Sequence, residues 1–395
     1  MEYVPRALSR RLTEYLNTFP LVLIWGPRQC GKSTFAAHEL PHFEHYDLER
    51  PVDFNLISAD PELFFSDHPV NVCIDEAQRL PELFPVLRHL IDKNRENGRY
   101  VLLGSSGPLL LKNVSETLAG RIGILELTPF TIKELIGRFS WQTRWWRGGL
   151  PPVYDLGTGR QQTTWLSSYI QTVLERDLPN LGIRVPAARL NRLWSMLTSV
   201  NGQLLNVSML ARSLELSNSA ITNYLDILEG ALLIRRLLPY HANIKKRLVK
   251  SPKLYIRDTG ILHRLAGLPD ESSLESWVHR GQSFEVLLVE ELIAAAWTDL
   301  IGPEFYFYRT QAGAEVDLLI KVGDYICPVE IKLGIEIRQY DTAGLRHCMQ
   351  DLGIERGFLV TRGNETRELG RGIVALSFAQ IISGSLYPWA YQASK

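Results

Sequence analysis

The chain carries no excess of either charge. Its 43 Lys and Arg balance 43 Asp and Glu, so no global field draws it to nucleic acid or to a membrane surface, and any such affinity must be local. No apolar run is long enough to span a bilayer. The opening Met1-Glu2-Tyr3-Val4-Pro5-Arg6 lacks the apolar core of a secretory signal. Four cysteines (Cys30, Cys73, Cys327, Cys348) are scattered without a Cys-x-x-Cys pair, which argues against a zinc site or a disulfide scaffold and suits a reducing cytoplasm. There is no internal repeat and no low-complexity segment. What is there is a chain of 395 residues, 45% hydrophobic and 22% charged, the composition of a soluble globular protein with room for two or three domains.

The most informative stretch is Leu21-Val22-Leu23-Ile24-Trp25 followed by Gly26-Pro27-Arg28-Gln29-Cys30-Gly31-Lys32-Ser33-Thr34. Five apolar residues predict a strand buried on both faces. The spacing Gly-x-x-x-x-Gly-Lys-Ser is that of a phosphate-cradling P-loop leading into a helix. Gly26 and Gly31 allow backbone angles that turn N–H groups inward, and the helix aims its positive end at the same spot. All nine residues, Gly26 to Thr34, are candidate positions for ATP. Lys32 is expected at the β- and γ-phosphates and the Ser33 hydroxyl on Mg²⁺. Cys30, beside the cradle, is expected to hinder nucleotide binding when alkylated.

Downstream, Val70-Asn71-Val72-Cys73-Ile74-Asp75-Glu76-Ala77-Gln78 is an apolar strand ending in two acids. Asp75 is expected to hold Mg²⁺ and Glu76 to orient or deprotonate the attacking water. A third strand, Tyr100 to Gly104, ends in Ser105-Ser106. Either serine suits contact with the γ-phosphate or its water; either would also cap a following helix. Arg121, in Leu118-Ala119-Gly120-Arg121, reads either as a transition-state arginine, for its own or a neighbour's site, or as a surface residue.

These motifs, with Leu127-Thr128-Pro129-Phe130, resemble a widespread family of bacterial and archaeal AAA-type ATPases that carry a C-terminal domain with a PD-(D/E)XK nuclease-like fold. The likeness covers nearly the whole chain. Members have Thr before the Gly-Ser of the third strand. Leu103 stands there in this chain, which shifts weight onto Ser105.

The expected fold class is α/β, in three parts: an ATPase domain over 1–140, a helical connector and winged helix over 141–250, and a restriction-endonuclease-like domain over 251–395. The Trp-, Gly- and Pro-rich Trp141 to Pro152 reads as the exit from the ATPase core. Tyr169 to Leu178 reads as a helix containing Glu175-Arg176-Asp177, where Arg176 is either a second finger candidate or one half of an ion pair. Leu204 to Leu214 and Ala220 to Leu233 read helix, turn, helix, followed by a strand pair whose connection holds Lys245, Lys246, Arg247, Lys250 and Lys253. That basic wing suits DNA phosphates. The second helix, with Thr222, Asn223, Asp226 and Glu229, does not.

In the last third, Glu315 to Ile320 and Pro328 to Leu333 alternate acid or lysine with apolar residues, and Gly323-Asp324 between them is a type II′ turn signal. Closing that turn pairs Val322 with Tyr325, and so Asp317 with Glu330 and Glu315 with Lys332. Two facing carboxylates need a cation between them. Glu285 lies on the apolar face of a helix over Ser283 to Trp297, where a lone acid is costly. A divalent ion answers both; so does a salt-bridge cluster neutralised by Lys332. The family resemblance implies the former: Asp317 and Glu330 on Mg²⁺, Lys332 at the water, Glu285 completing the site, Gln311 assisting. It implies a homo-oligomer, a ring among the options, and DNA as the partner.

Overall fold

The structure is a computed structural model and describes residues 2–105, 117–157, 159–180, 185–240 and 248–393. Ser106 and the basic residues Lys245, Lys246 and Arg247 lie outside the described residues. Among those described, no helix is long and apolar enough to cross a membrane.

The N-terminal part is a parallel sheet of β1 (Leu21–Gly26), β2 (Glu44–Asp47), β3 (Val72–Asp75), β4 (Tyr100–Ser105) and β5 (Ile122–Glu126), in the order β2-β3-β4-β1-β5. Strand β1 lies between β4 and β5, and its alternate residues feed two cores. Leu21 and Leu23 pack on one face of the sheet, Val22 and Ile24 on the other, all without exposed surface. This is why the strand reads as an unbroken apolar run. Parallel pairing fixes which residues share an edge. Gly26 is level with Ser105, Trp25 with Glu126, and Asp47 with Asp75. The loop after β1 and the ends of β3, β4 and β5 therefore meet at the carboxyl edge. Arg121 precedes β5, whose first residue Ile122 is level with Leu21, so it sits at the opposite edge.

Two expected loops or helices differ in detail. Trp141–Arg147, in the segment read as the exit from the ATPase core, is a helix started by Ser140, whose hydroxyl accepts from Thr143 N. It buries Trp145 and Trp146, which is where the free energy lies; only the Gly148-Gly149 that follows turns the chain. The helix Gly159–Thr172 widens into a π-helical turn over Val173–Asp177. Such a turn inserts a residue into the helical ladder and commonly accompanies function.

The second sheet is mixed and nine-stranded: β6 (Gln203–Leu204), β7 (Ile234–Pro239), β8 (Lys253–Ile256), β9 (Glu304–Arg309), β10 (Glu315–Val322), β11 (Tyr325–Lys332), β12 (Gly357–Thr361), β13 (Arg367–Gly370) and β14 (Ile373–Ser377), ordered β13-β14-β12-β11-β10-β9-β7-β8-β6. The helices Val207–Leu214 and Asn218–Gly230 precede the antiparallel pair β7 and β8, in the expected sequence. However, β7 goes on to pair with β9, through Leu238 with Tyr306 and Pro239 with Phe307. One apolar core also runs from Trp194 and Leu225 to Leu287 and Leu318. The boundary expected at residue 250 thus falls inside one sheet and one core. An edge strand with free N–H and C=O groups gains by pairing, and β9 offers that partner. The helix Arg280–Asp299 covers one face of β10 and β11, and the helix Ala343–Leu352 the other.

Candidate nucleotide site and acidic cluster

Gly26 cannot carry a side chain: a Cβ there would lie 2.3 Å from Leu127 O and 2.8 Å from Cys30 Sγ. Gly31 has φ +97°, and Gln29 takes the left-handed region at φ +61°. The loop therefore curls ahead of the helix Lys32–Glu39, with Lys32 buried and its Nζ donating to Gly26 O at 3.1 Å and Pro27 O at 3.2 Å. Cys30 differs from expectation. Its side chain joins Val22, Ile24 and Phe35 in the core with no exposed surface, and burial raises its thiol pKa. Only its backbone belongs to the loop, its carbonyl accepting from Arg6 Nη1 at 3.1 Å. N-Ethylmaleimide is accordingly expected to leave Cys30 unmodified in the folded protein and to label it only on unfolding, as peptide mass spectrometry would read; rapid labelling of the native chain would contradict this placement.

Beside the loop, Ser33 Oγ donates to Asp75 Oδ2 at 2.5 Å, and Asp75 Oδ1 accepts from Glu76 N at 2.8 Å. Burial pushes the Asp75 carboxyl up, with the Ser33 hydroxyl pulling against it. A hydroxyl and a carboxylate in contact form the hard oxygen pair that suits Mg²⁺, so these residues fit that ion. Glu76 is left-handed at φ +53°, unusual outside glycine. Its Oε2 accepts from Ser105 Oγ at 2.6 Å and from Gln78 Nε2, and Gln78 Nε2 also reaches Ser105 Oγ at 3.0 Å. The structure thus brings together Lys32, Ser33, Asp75, Glu76 and Ser105, and adds Gln78, which the sequence analysis gave no role.

Arg28 is committed elsewhere, Nη1 to Asp177 Oδ1 at 2.7 Å and Nη2 to Glu49 Oε1 at 3.3 Å. Asp177 also takes Arg176 Nε at 3.2 Å, so Arg176 forms the ion pair that was the plainer of its two readings. Arg121 pairs with Asp92 at 2.6 Å on the far edge of the sheet and is not brought to its own chain's P-loop.

In the second sheet the hairpin register is as the turn dictates, from Val322 with Tyr325 to Leu318 with Val329, with Gly323 at φ +57°. Against β9 the register of β10 slips between Val316 and Leu319. A bulge here re-aims the side chains around Asp317. Asp317 Oδ2 accepts from Ile331 N at 2.9 Å. Lys332 bonds Glu330 Oε1 at 2.5 Å, while Glu315 pairs with Arg309 at 2.7 Å.

The cation predicted among these acids is present, but it is an ammonium. Lys253, 1% exposed, places Nζ 2.9 Å from Glu285 Oε1, 2.6 Å from Glu315 Oε1 and 2.9 Å from Asp317 Oδ1. Tyr255 Oη donates to Glu285 Oε1 at 2.7 Å. Burial pushes Glu285 up, and the charge of Asp317 adds to it. Burial also opposes ionisation of Asp317, but Lys253 and Lys332 outweigh it and hold its carboxyl below the usual range. Glu330 Oε2 is the one cluster oxygen here that is buried without a partner among the described residues. With both Asp317 oxygens engaged and a lysine at the centre, these donors do not fit a divalent ion, and no group of three or more His, Cys, Asp or Glu among the described residues is arranged to hold one. The sequence signal was available: Lys253, Tyr255 and Arg257 alternate with Leu254 and Ile256, putting three polar side chains on one strand face.

A parallel sheet with a P-loop after the interior strand β1 and two acids at the end of β3, on the far side of β4, defines a P-loop ATPase domain. Residues 18–136 match the family described as AAA domain, 138–272 match Domain of unknown function (DUF8612), and 280–381 match Domain of unknown function (DUF4143). Over 386 residues the chain is 39% identical to the uncharacterized protein Rv2008c of Mycobacterium tuberculosis and to Mb2031c of Mycobacterium bovis, covering 96% of this chain and 84% of each relative. It belongs to their family. An uncharacterized protein of Haemophilus influenzae is 22% identical over 374 residues, 86% of this chain and 88% of that one. Among solved structures, the Walker-type ATPase PABY2304 of Pyrococcus abyssi is 17% identical with a TM-score of 0.47, covering 67% of this chain and 96% of that one.

Proposed function

We propose that this protein is a Mg²⁺-dependent ATP hydrolase whose nucleotide cycle controls a C-terminal domain of nuclease-like architecture that binds DNA. The observation that carries the first part is the convergence of Ser33, Asp75, Glu76 and Ser105 beside the P-loop. Lys32 binds the β- and γ-phosphates once it leaves the loop carbonyls. Ser33 and Asp75 hold Mg²⁺, which when bound neutralises phosphate charge. Glu76 orients the water and accepts its proton, and Ser105 steadies Glu76.

For the second part, Arg236 supports DNA contact by the helical pair. It bonds Asp226 Oδ1 at 2.7 Å and Glu229 Oε2, offsetting one of the two negative charges that would repel phosphate. Thr222 and Asn223 remain exposed on the same helix. Lys253 favours binding over cutting, because it stands where a catalytic metal would be needed. In this reading the protein is a homo-oligomer, in which Arg121, at the far sheet edge, acts on a neighbour's site.

The test is phosphate release from ATP with Mg²⁺, together with incubation of linear and branched DNA with Mg²⁺ or Mn²⁺. Phosphate release that Lys32→Ala abolishes, with DNA retained intact in a mobility shift, is the expected outcome. DNA cleavage lost in both Asp317→Ala and Lys332→Ala would instead establish the nuclease.

A further inference from the structure

Glu76 is held by two donors, and one of them belongs to a side chain with a second polar atom to account for. The carboxylate of Glu76 can only accept, so the atom of Gln78 facing it must be the amide nitrogen. That fixes the carboxamide: Nε2 donates to Glu76 Oε2 and lies 3.0 Å from Ser105 Oγ, leaving Oε1 on the other side. Oε1 is buried and has no hydrogen-bond partner among the described residues. A buried acceptor without a donor is costly and calls for an explanation. The backbone shows how it is placed. Glu76 in the left-handed region starts a short 3-10 turn over Ala77–Arg79, which puts residues 76 and 78 on the same side, both against the end of β4.

We propose that Gln78 is a second acceptor for the attacking water: Glu76 takes one hydrogen of the water and Gln78 Oε1 the other. This rests on the ATPase reading above and names a further residue of that site. A water donates two hydrogens, and fixing both orients its lone pair toward the phosphorus. A single carboxylate leaves the molecule free to rotate about one hydrogen bond. In the step, the water oxygen forms a bond to the γ-phosphorus, the bond from that phosphorus to the bridging oxygen of ADP breaks, and one water proton passes to Glu76. Gln78 keeps its protons throughout. Its amide nitrogen meanwhile anchors Glu76 and Ser105, so one side chain both braces the base and completes the water's site.

The test uses the full chain with ATP and Mg²⁺, comparing Gln78→Met, which keeps the volume and removes both polar atoms, with the parent. The expected result is a kcat lower by roughly tenfold to hundredfold, the loss of one buried hydrogen bond in the transition state, with KM changed less than about twofold. The affinity for ADP with aluminium fluoride should fall in parallel with kcat, while affinity for ADP alone stays put. That split separates water positioning from mere support, which would move both ligands or neither. Parent-like kcat in Gln78→Met, or equal loss of ADP and ADP–aluminium fluoride affinity, overturns the proposal. A parent that releases no phosphate fails the ATPase reading instead, and a non-binding Lys32→Ala shows that the assay reports this site. Should Gln78→Met fold poorly, Gln78→Asn, which retracts the same amide by one methylene, is expected to give the same kcat-selective loss.

Discussion

A Lys253→Met variant is expected to be about 3–5 kcal/mol less stable than the parent near neutral pH, the range for stripping one partner from a buried charge network. The methionine fills the space but leaves Glu285, Glu315 and Asp317 around an apolar side chain, where Nζ had stood within 2.9 Å of all three. The pH dependence has a definite sign. In the parent, Asp317 has a depressed pKa, so its pairing stabilises the fold above the ordinary carboxylate value, and that contribution fades as pH falls through the folded value. Without Lys253 the folded-state value of Asp317 rises above its unfolded one, and that of Glu285, already raised by burial, climbs further. The native state then binds more protons than the unfolded state, and stability falls as pH rises. The deficit is therefore widest at neutral and mildly alkaline pH and narrows toward pH 4. Urea midpoints across that range would show it. Adding Glu285→Gln and Asp317→Asn to the variant should recover part of the loss, since uncharged groups need no counter-ion. A variant within about 0.5 kcal/mol of the parent at pH 8 would mean that water, not Lys253, neutralises these acids.

How far the sequence carried can be judged from particular residues. The P-loop strand was legible because one continuous apolar run, a fixed glycine spacing and a lysine-serine pair all pointed the same way. The hairpin around Gly323 was legible because a two-residue turn sets register by counting. Its ladder holds from Val322 to Leu318. What counting could not show was the slip of β10 against β9, since a bulge depends on the neighbouring strand and not on the turn. Nor could spacing along the chain show that Lys253 would arrive among acids of the helix Arg280–Asp299 and of β10. It was read as part of a solvated basic wing, because lysines are rarely buried. The helix within the Trp-rich exit was hidden for a similar reason. Glycine and proline near Gly148 and Pro151 dominated the local signal, while the burial that makes Trp141–Arg147 a helix comes from His263, Ser283 and Phe284 far along the chain.

Strand β8 gives the two sites a physical connection. Lys253 and Tyr255 serve the acidic cluster, and Arg257, two residues on, bonds Glu126 at the end of β5 and Glu290 at 2.9 Å. Burial alone would push Glu290 up, but Arg235 and Arg257 outweigh it and hold its pKa at about 2. Glu126 is level with Trp25, the residue before the P-loop. A shift of the loop on nucleotide exchange would therefore pull on the same strand that fills the acidic cluster.

Among variants that still bind ATP, the largest effect on turnover should be that of Glu76→Gln. It is expected to bind ATP as the parent does and to hydrolyse it at least about a hundredfold more slowly, the usual cost of removing a positioned general base. Binding survives because the residues that cradle phosphate, from Gly26 to Ser33, do not rely on Glu76; Asp75 keeps its own contact with Ser33 at 2.5 Å. Hydrolysis fails for two reasons. The amide cannot accept the water's proton. It also disturbs the bonds that place residue 76: Ser105 Oγ and Gln78 Nε2 both point donors at Oε2, and an amide presenting nitrogen there meets a donor with a donor, while one presenting oxygen loses charge assistance. Phosphate release and binding of a fluorescent ATP analogue, measured on the same preparation, separate the two effects. Lys32→Ala supplies the contrast, because losing the buried ammonium should abolish binding itself. Turnover of Glu76→Gln within threefold of the parent would remove Glu76 as the base. A DNA affinity that differs between Glu76→Gln held with ATP and the same variant with ADP would show that the nucleotide state is felt at the second sheet.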